Sequence, residues 1–313
     1  MRRAMRLRHT LRAVLVAALS AVLMIGVLST AGTAAPSKAG QGDAGCAGRG
    51  VPTSKISIQL WTFAEYIGLE DDAAAQARLE EVLSRLADMG YRNVEPFSLN
   101  GLTAEEYAAL LEEHGLEASA RHVDVGTPDD PSDIGQILED NRVLGIKYFG
   151  SGGTPRLTTE AEWIAYAEYL DHVGEEARQA GQRLMVHNHN WEFQTVFGDR
   201  TAYDILMQYT DRKNVVFQLD LYWATFAGAD PVELLEQYGH RIRLFHVKDL
   251  NEELGRRIEI VGRGDIDFPS IFAAADGRIR YFVVEHDPRF GDPTFDPFVA
   301  AQEGFAYLDC VTY

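Results

Sequence analysis

The chain has 313 residues, 46% hydrophobic and 24% charged, with two cysteines and a net charge of −18. Every acid lies beyond residue 35, so without the five arginines that precede residue 13 the balance is −23. Such a surface repels phosphate backbones and opposes both a nucleic-acid partner and a basic membrane-binding face.

Residues 1–35 are different in kind. Arg2, Arg3, Arg6, Arg8 and Arg12 precede an apolar run over 13–28, and the small residues of "STAGTAA" follow. A basic start, an apolar middle and a small-residue exit predict a secretory signal peptide cut near Ala34 or Ala35, with an uncleaved anchor as the rival. The mature protein is then secreted, with no stable membrane association. Residues 36–50, "PSKAGQGDAGCAGRG", read as a flexible linker. The remainder, 51–313, is long enough for one large domain. Cys46 stands just before that domain and Cys310 three residues from its end. In an oxidising compartment two such thiols pair, which requires the ends of the domain to meet.

Periodicity and punctuation give a repeated strand–helix alternation. "KISIQLW" is a strand, and the helix from about Asp72 to Met89 stops at Gly90. "YRNVEPF" is the second strand, followed by a helix that Thr103 opens with Glu106 three residues later. "LEASARHV" is third, with a helix near Ile134–Leu144; "IKYFGSGG" is fourth, with a helix from about Thr159 to Ala180. "RLMVHNH" precedes a helix at Ala202–Gln208, and "NVVFQLDL" precedes one with Asp230 as cap and Pro231 at its first position. "IRLFHVKD" leads to a short helix at Pro269–Ala275, and "RYFVVEHD" to a last one at about Asp296–Leu308.

Eight such units predict a single-domain α/β fold, the closed (β/α)8 TIM barrel. An open doubly wound sheet would show a glycine-rich phosphate turn after its first strand, and "QLWTFAEY" has none. Barrel chemistry sits at the C-terminal ends of the strands. There the sequence offers Gln59 and Trp61, Glu95, His122, Ser151 and Gly152, His187 with Asn188 and His189, Asp220, His246 with Lys248, and Glu285. Any one of these is most simply a solvated, capping or hydrogen-bonded residue. Imidazoles and carboxylates converging from four successive strands are not explained that way, and a divalent metal would neutralise them.

"GYRNVE", "HNHNWEF", "LDLYWATFAGADPVELL", "RIRLFHVKDL", "VGRGDIDFPSIF" and "VVEHD" resemble, in that order, the xylose isomerase-like TIM barrels of the sugar phosphate isomerase/epimerase family. The resemblance covers about Ser57 to Asp287. It implies one divalent cation (Mn, Mg, Co or Zn), with Asp220, His246 and Glu285 at the positions of the usual ligands. At the strand-five position the family normally has Glu, and here His187 stands there. A symmetric exchange between two carboxylates is therefore in doubt, and an imidazole base suits elimination, hydration or isomerisation next to a ketone.

The expected site is thus a metal held by His187, Asp220, His246 and Glu285. His189 or Glu95 is the base, and Lys248 the donor to a developing oxyanion or leaving hydroxyl. The roles of His187 and His189 are exchangeable at this level. Trp61, His122, Asn188, Trp191 and Trp223 are expected around a sugar or keto-sugar, although core packing accounts for tryptophans equally well. Arg263, in the glycine-rich "VGRGDIDF", is expected at the substrate if that loop binds sugar rather than serving structure. The leading expectation is an exported metal-dependent sugar isomerase, epimerase or lyase. Its rivals are a non-catalytic exported sugar-binding barrel and an endonuclease-like metal hydrolase, the latter opposed by the charge. Contacts around "PRFGDPTFDPF" leave room for a pocket cover or a homo-oligomer.

Overall fold

The protein is described by a computed structural model over residue 46 and residues 50–289 and 293–313. The expected leader at 1–35, and the expected linker apart from Cys46 and Gly50, lie outside these residues. In chain order the strands are β1 (Ile56–Gln59), β2 (Asn93–Glu95), β3 (Glu117–Ala118), β4 (Arg121–His122), β5 (Tyr148–Gly150) and β6 (Arg183–His187). Then come β7 (Val196–Phe197), β8 (Arg200–Thr201), β9 (Val215–Asp220), β10 (Ile242–Val247), β11 (Asp249–Asn251), β12 (Arg257–Glu259) and β13 (Tyr281–Val284). β7–β8 and β11–β12 are small antiparallel hairpins at the rim. The other nine form one parallel sheet in the order β3-β2-β1-β13-β10-β9-β6-β5-β4.

The two ends of that order are successive pieces of one stave. The third strand, expected to be continuous, pairs with β2 through β3, breaks at Ser119–Ala120, and pairs with β5 through β4. By changing partners midway it closes the sheet into an eight-stave TIM barrel, as expected from the eight units.

The helices begin and end where local chemistry asks. Asp72 caps Ala73–Met89 and Gly90 closes it in the left-handed conformation at φ 105°. Thr103 with Glu106 and Thr159 with Glu162 form reciprocal capping boxes on Ala104–Glu113 and Glu160–Gln179. Asp230 and Asp267 cap Pro231–Tyr238 and Phe268–Ala275.

Alternation along the strands sorts the apolar residues into two cores. Phe217, Leu219, Phe245 and Val247 face outward and join the large cluster under the helices. Val216 and Leu244, with Ala120, Tyr148 and Met185, form a small plug inside the barrel. Two residues further along β9 and β10, the inward positions change character to Gln218 and His246, then Asp220 and Lys248. The site is therefore a polar storey built on an apolar plug. Cys46 and Cys310 are joined by a disulfide, and the Val51 amide donates to the Leu308 carbonyl at 2.8 Å. The start and finish of the domain meet there.

Candidate active site

The floor of the site is organised by Glu95, which is fully buried at the end of β2. Its Oε1 accepts from Gln59 Nε2 at 2.7 Å and from His246 Nε2 at 2.6 Å, and its Oε2 accepts from Gln218 Nε2 at 2.7 Å. Because the Gln218 amide nitrogen is committed to Glu95, its oxygen must face the two imidazoles beside it. It accepts from His122 Nε2 at 2.8 Å and His187 Nδ1 at 3.1 Å. These bonds place a proton on His246 Nε2, His187 Nδ1 and His122 Nε2, which leaves the lone pair of neutral His187 on Nε2 and that of neutral His122 on Nδ1. Burial alone would raise the Glu95 carboxyl, but His122 and His246 outweigh it and bring it below the ordinary range.

Above this floor lies an acidic corner. Asp220, the β9 residue paired directly with His246 of β10, caps the next helix by accepting the Trp223 amide on Oδ1 at 2.8 Å. Its Oδ2, His246 Nδ1 and Glu285 Oε2 are buried and converge within 4.8 Å of one another. None of the three has a hydrogen-bond partner. His246 Nδ1 is 2.5 Å from Glu285 Oε2 and 3.9 Å from Asp220 Oδ2, without hydrogen-bond geometry. Lys248, almost wholly buried, places Nζ 3.2 Å from Asp220 Oδ2, 2.9 Å from Glu285 Oε2 and 2.9 Å from Asp287 Oδ1.

The charges respond accordingly. Burial pushes Asp220 up to about 6 against the pull of Lys248 and His246. Glu285 goes the other way, because Lys248 and His246 overcome its burial. His246 is lifted to about 10, burial being outweighed by Glu285 and Glu95. Two carboxylate oxygens and one imidazole nitrogen converge there with the Lys248 ammonium as their counter-charge. Once the His246 Nδ1 proton is displaced they are a donor set suited to a divalent cation, with Glu95 backing the histidine from behind. The residues fit the metal that the sequence implies.

A cavity of about 590 Å³ opens over this corner, lined among others by Trp61, Phe97, His122, Asp124, His187, His189, Lys248, Glu285 and Asp287. β6 stops at His187, so His189 stands in the loop beyond it and not on the strand, as alternation alone had suggested. Its imidazole stacks on Trp191 at 4.3 Å and 11°, and burial with the nearby Lys248 ammonium holds it down at about 3, hence neutral. Glu192, one turn on, is wholly buried and is pushed up to about 7 by that burial.

Of the expected metal ligands, Asp220, His246 and Glu285 come together in one cluster. His187 belongs instead to a second buried group with His122 and His246, its ring 4.5 Å from that of His246. Glu95, expected as an alternative base, is below the cavity with its oxygens already engaged, and serves to orient His246. Asn188, expected at the substrate, is buried and holds Asp220 in place, its Oδ1 accepting the Asp220 amide at 3.0 Å. Trp223 packs behind the wall, 5.3 Å from the His189 ring, with the Lys248 ammonium 5.8 Å from its own. Arg263 does not reach the cavity; it forms a half-exposed two-bonded pair with Glu303 at 2.6 Å.

The glycine-rich loop has a structural cause. Asp249 accepts the amides of Leu250, Gly262, Gly264 and Ile266, and a Cβ on Gly264 would meet its Oδ1 at 2.4 Å. Gln218, Asp287 and Thr154 were missed in the sequence. For Gln218 the signal was present, a polar residue two positions before Asp220 in an otherwise apolar strand.

A closed parallel barrel with an ionisable storey at the C-terminal ends of its strands defines the class, a TIM barrel with its site in the standard place. Residues 83–308 match the xylose isomerase-like TIM barrel family, and the chain belongs to it. It is 28% identical over 212 residues to an inosose dehydratase of Geobacillus kaustophilus, covering 60% of this chain and 67% of that one. The chain spans about a third to two thirds of the length of the inosose dehydratases it matches. Among solved structures, a sugar phosphate isomerase/epimerase from Parabacteroides distasonis superposes with TM-score 0.66 and 23% identity, over 88% of this chain and 98% of that. The IOLI protein with a binding zinc atom superposes with TM-score 0.59 and 16% identity, over 82% and 98%.

Proposed function

We propose that the protein is a divalent-metal-dependent carbohydrate enzyme that moves a proton next to a sugar carbonyl, and that its reaction is an elimination of water from a keto-polyol. The observation that carries this reading is the convergence of three buried atoms, Asp220 Oδ2, His246 Nδ1 and Glu285 Oε2, within 4.8 Å of one another. These residues would hold the metal (Mn, Mg, Co or Zn), with His187 the neighbour able to turn its Nε2 lone pair to the same cation. Once bound, the cation supplies stabilisation of negative charge on substrate oxygen.

The chain's own residues provide the rest. His189 in the cavity wall is the proton acceptor for the carbon next to the carbonyl. The burial and Lys248 charge that keep it neutral also lower its basicity, so the proton must be made acidic by charge stabilisation on the neighbouring oxygen. Lys248, kept protonated by Asp220, Asp287 and Glu285 despite its burial, gives a proton to the departing hydroxyl, which leaves as water. Trp61 and Phe97 offer apolar surface to the C–H faces of a sugar, and Asp124 and Asp287 accept from its hydroxyls. At the β6 end the chain presents imidazoles where a symmetric epimerisation would need a carboxylate. One-sided proton removal therefore fits better, and the inosose dehydratase relatives support the same choice. Export by the 1–35 leader belongs to this proposal, and the disulfide is consistent with an oxidising destination.

The test is metal content by plasma mass spectrometry beside turnover of keto-inositols, followed by the rise of a conjugated carbonyl chromophore. About one cation per chain, lost together with turnover in the Asp220→Ala, His246→Ala double variant, is the expected result. A folded wild type that stays metal-free after reconstitution overturns the reading, and favours a barrel that only binds sugars.

A further inference from the structure

Glu192 is a buried carboxylate that no step above uses. Among the described residues no Lys, Arg or His stands within ion-pair distance of it. Instead its Oε2 accepts the backbone amide of His189 at 2.8 Å, and its Oε1 accepts the Thr154 hydroxyl at 2.6 Å. Thr154 Oγ1 also accepts the indole N–H of Trp191 at 3.0 Å. An indole nitrogen can only donate, so the threonine proton is directed to Glu192 and the chain of bonds has one polarity.

Trp191 in turn lies flat against the His189 imidazole, with the guanidinium of Arg156 4.2 Å from its ring centroid. The two loops approach closely enough that a Cβ on Gly153 would come within 3.0 Å of His189 Cε1. One carboxylate thus holds His189 by its backbone directly and by its ring face through Thr154 and Trp191. Isolating a carboxylate from water costs several kcal/mol before compensation. Here the compensation is two donated bonds, both from groups that shape the cavity wall.

We propose that Glu192 is the positioning residue of His189, clamping the segment 188–192, which runs into the helix Trp191–Gln194, to the loop 151–155 so that the imidazole keeps one orientation in the cavity. The clamp stands on geometry alone; only its consequence for turnover rests on His189 being the proton acceptor.

The experiment uses the whole folded chain, labelled at histidine and tryptophan, as wild type, Glu192→Gln, Glu192→Ala and Thr154→Val. In Glu192→Ala the His189 amide is expected to exchange about tenfold faster, with shifts at His189 Cε1–H and Trp191 Nε1–H. Glu192→Gln should restore the His189 amide, which its oxygen can accept, but its NH2 reverses the bond to Thr154 and strands the threonine proton, so the Trp191 signal should be restored only in part. Thr154→Val should move the Trp191 signal and leave the His189 amide protected. Wild-type His189 and Trp191 signals in Glu192→Ala overturn the clamp; if that variant does not fold, an unmoved Trp191 signal in Thr154→Val does so. With a turned-over substrate, Glu192→Ala should lower kcat about 10- to 100-fold with KM little changed, and Glu192→Gln, which keeps the bond to the His189 amide, should recover most of it. An intact clamp in a chain that turns over no keto-polyol counts against the proposed reaction and leaves the clamp standing.

Discussion

The floor and the wall of the cavity are built on different principles. The floor (Glu95, His122, Gln218, His246) is carried on strands, and its polar groups answer one another through Glu95 and Gln218. The wall (His189, Trp191, Glu192, Thr154) is carried on the segments beyond the strands, Trp191 and Glu192 on the short helix Trp191–Gln194, and is held by a single buried carboxylate. Strand register sets the first, so one altered residue is felt by several partners. The second can be loosened without touching the barrel. Stability therefore belongs to the floor, and the orientation of the His189 imidazole to the wall.

The largest effect should come from removing the convergence point. His246→Ala or Asp220→Ala is expected to abolish bound metal and lower kcat/KM by about 10³-fold or more, several kcal/mol of charge stabilisation being lost. Metal analysis and turnover on the same samples check it. Next, His189→Ala should cost about 10²- to 10⁴-fold in kcat with the melting temperature nearly unchanged, as a wall residue would; a large fall in stability would break the division between wall and floor.

Glu95→Gln tests the floor in the opposite sense. One oxygen becomes a donor facing Gln218 or His246, so stability should fall by about 3 kcal/mol in urea titrations, and metal affinity by about 10- to 100-fold.

The buried wall carboxylate predicts a pH effect. The Glu192 carboxyl is at about 7 in the folded chain against 4.5 as its ordinary value. Between those values the folded state holds more protons than the unfolded one, so this residue's contribution favours folding most below 4.5 and declines as pH rises towards 7. The upper bound is about 3 kcal/mol at 1.36 kcal/mol for each pKa step. The difference in urea midpoint between wild type and Glu192→Gln should therefore change across pH 4.5–7.5 in favour of the glutamine variant, and a constant difference would contradict it. At the bottom of the scale, Arg263→Ala removes a half-exposed pair and should change stability by no more than about 1 kcal/mol, with turnover unaltered.

What was legible in the sequence follows the same division. Eight strands and their caps could be read because alternation, Asp, Thr and Gly leave local marks, as at Asp72, Thr103 and Gly90. Asp220, His246, Lys248 and Glu285 could be placed because inward strand positions recur every second residue. The misassigned residues depend on partners far away in sequence. Nothing near Glu95 shows that Gln59, Gln218 and His246 will surround it, 36, 123 and 151 residues distant. Arg263 and Glu303 are likewise 40 residues apart. The break in the third strand had no glycine or proline to announce it, since Ser119–Ala120 changes partners under the demand of closure alone.

The bond between Cys46 and Cys310 makes the domain a covalent ring of 264 residues' span. A single cut in an exposed loop, for instance beside Leu254, leaves the two pieces travelling as one particle until a reductant is added. A ring also has fewer extended conformations than an open chain of the same length, so the denatured ensemble is the state most altered by this crosslink. The barrel's seam, where β1 meets β13, is in effect locked from outside, and reduction leaves that line held by its backbone pairing and packing alone.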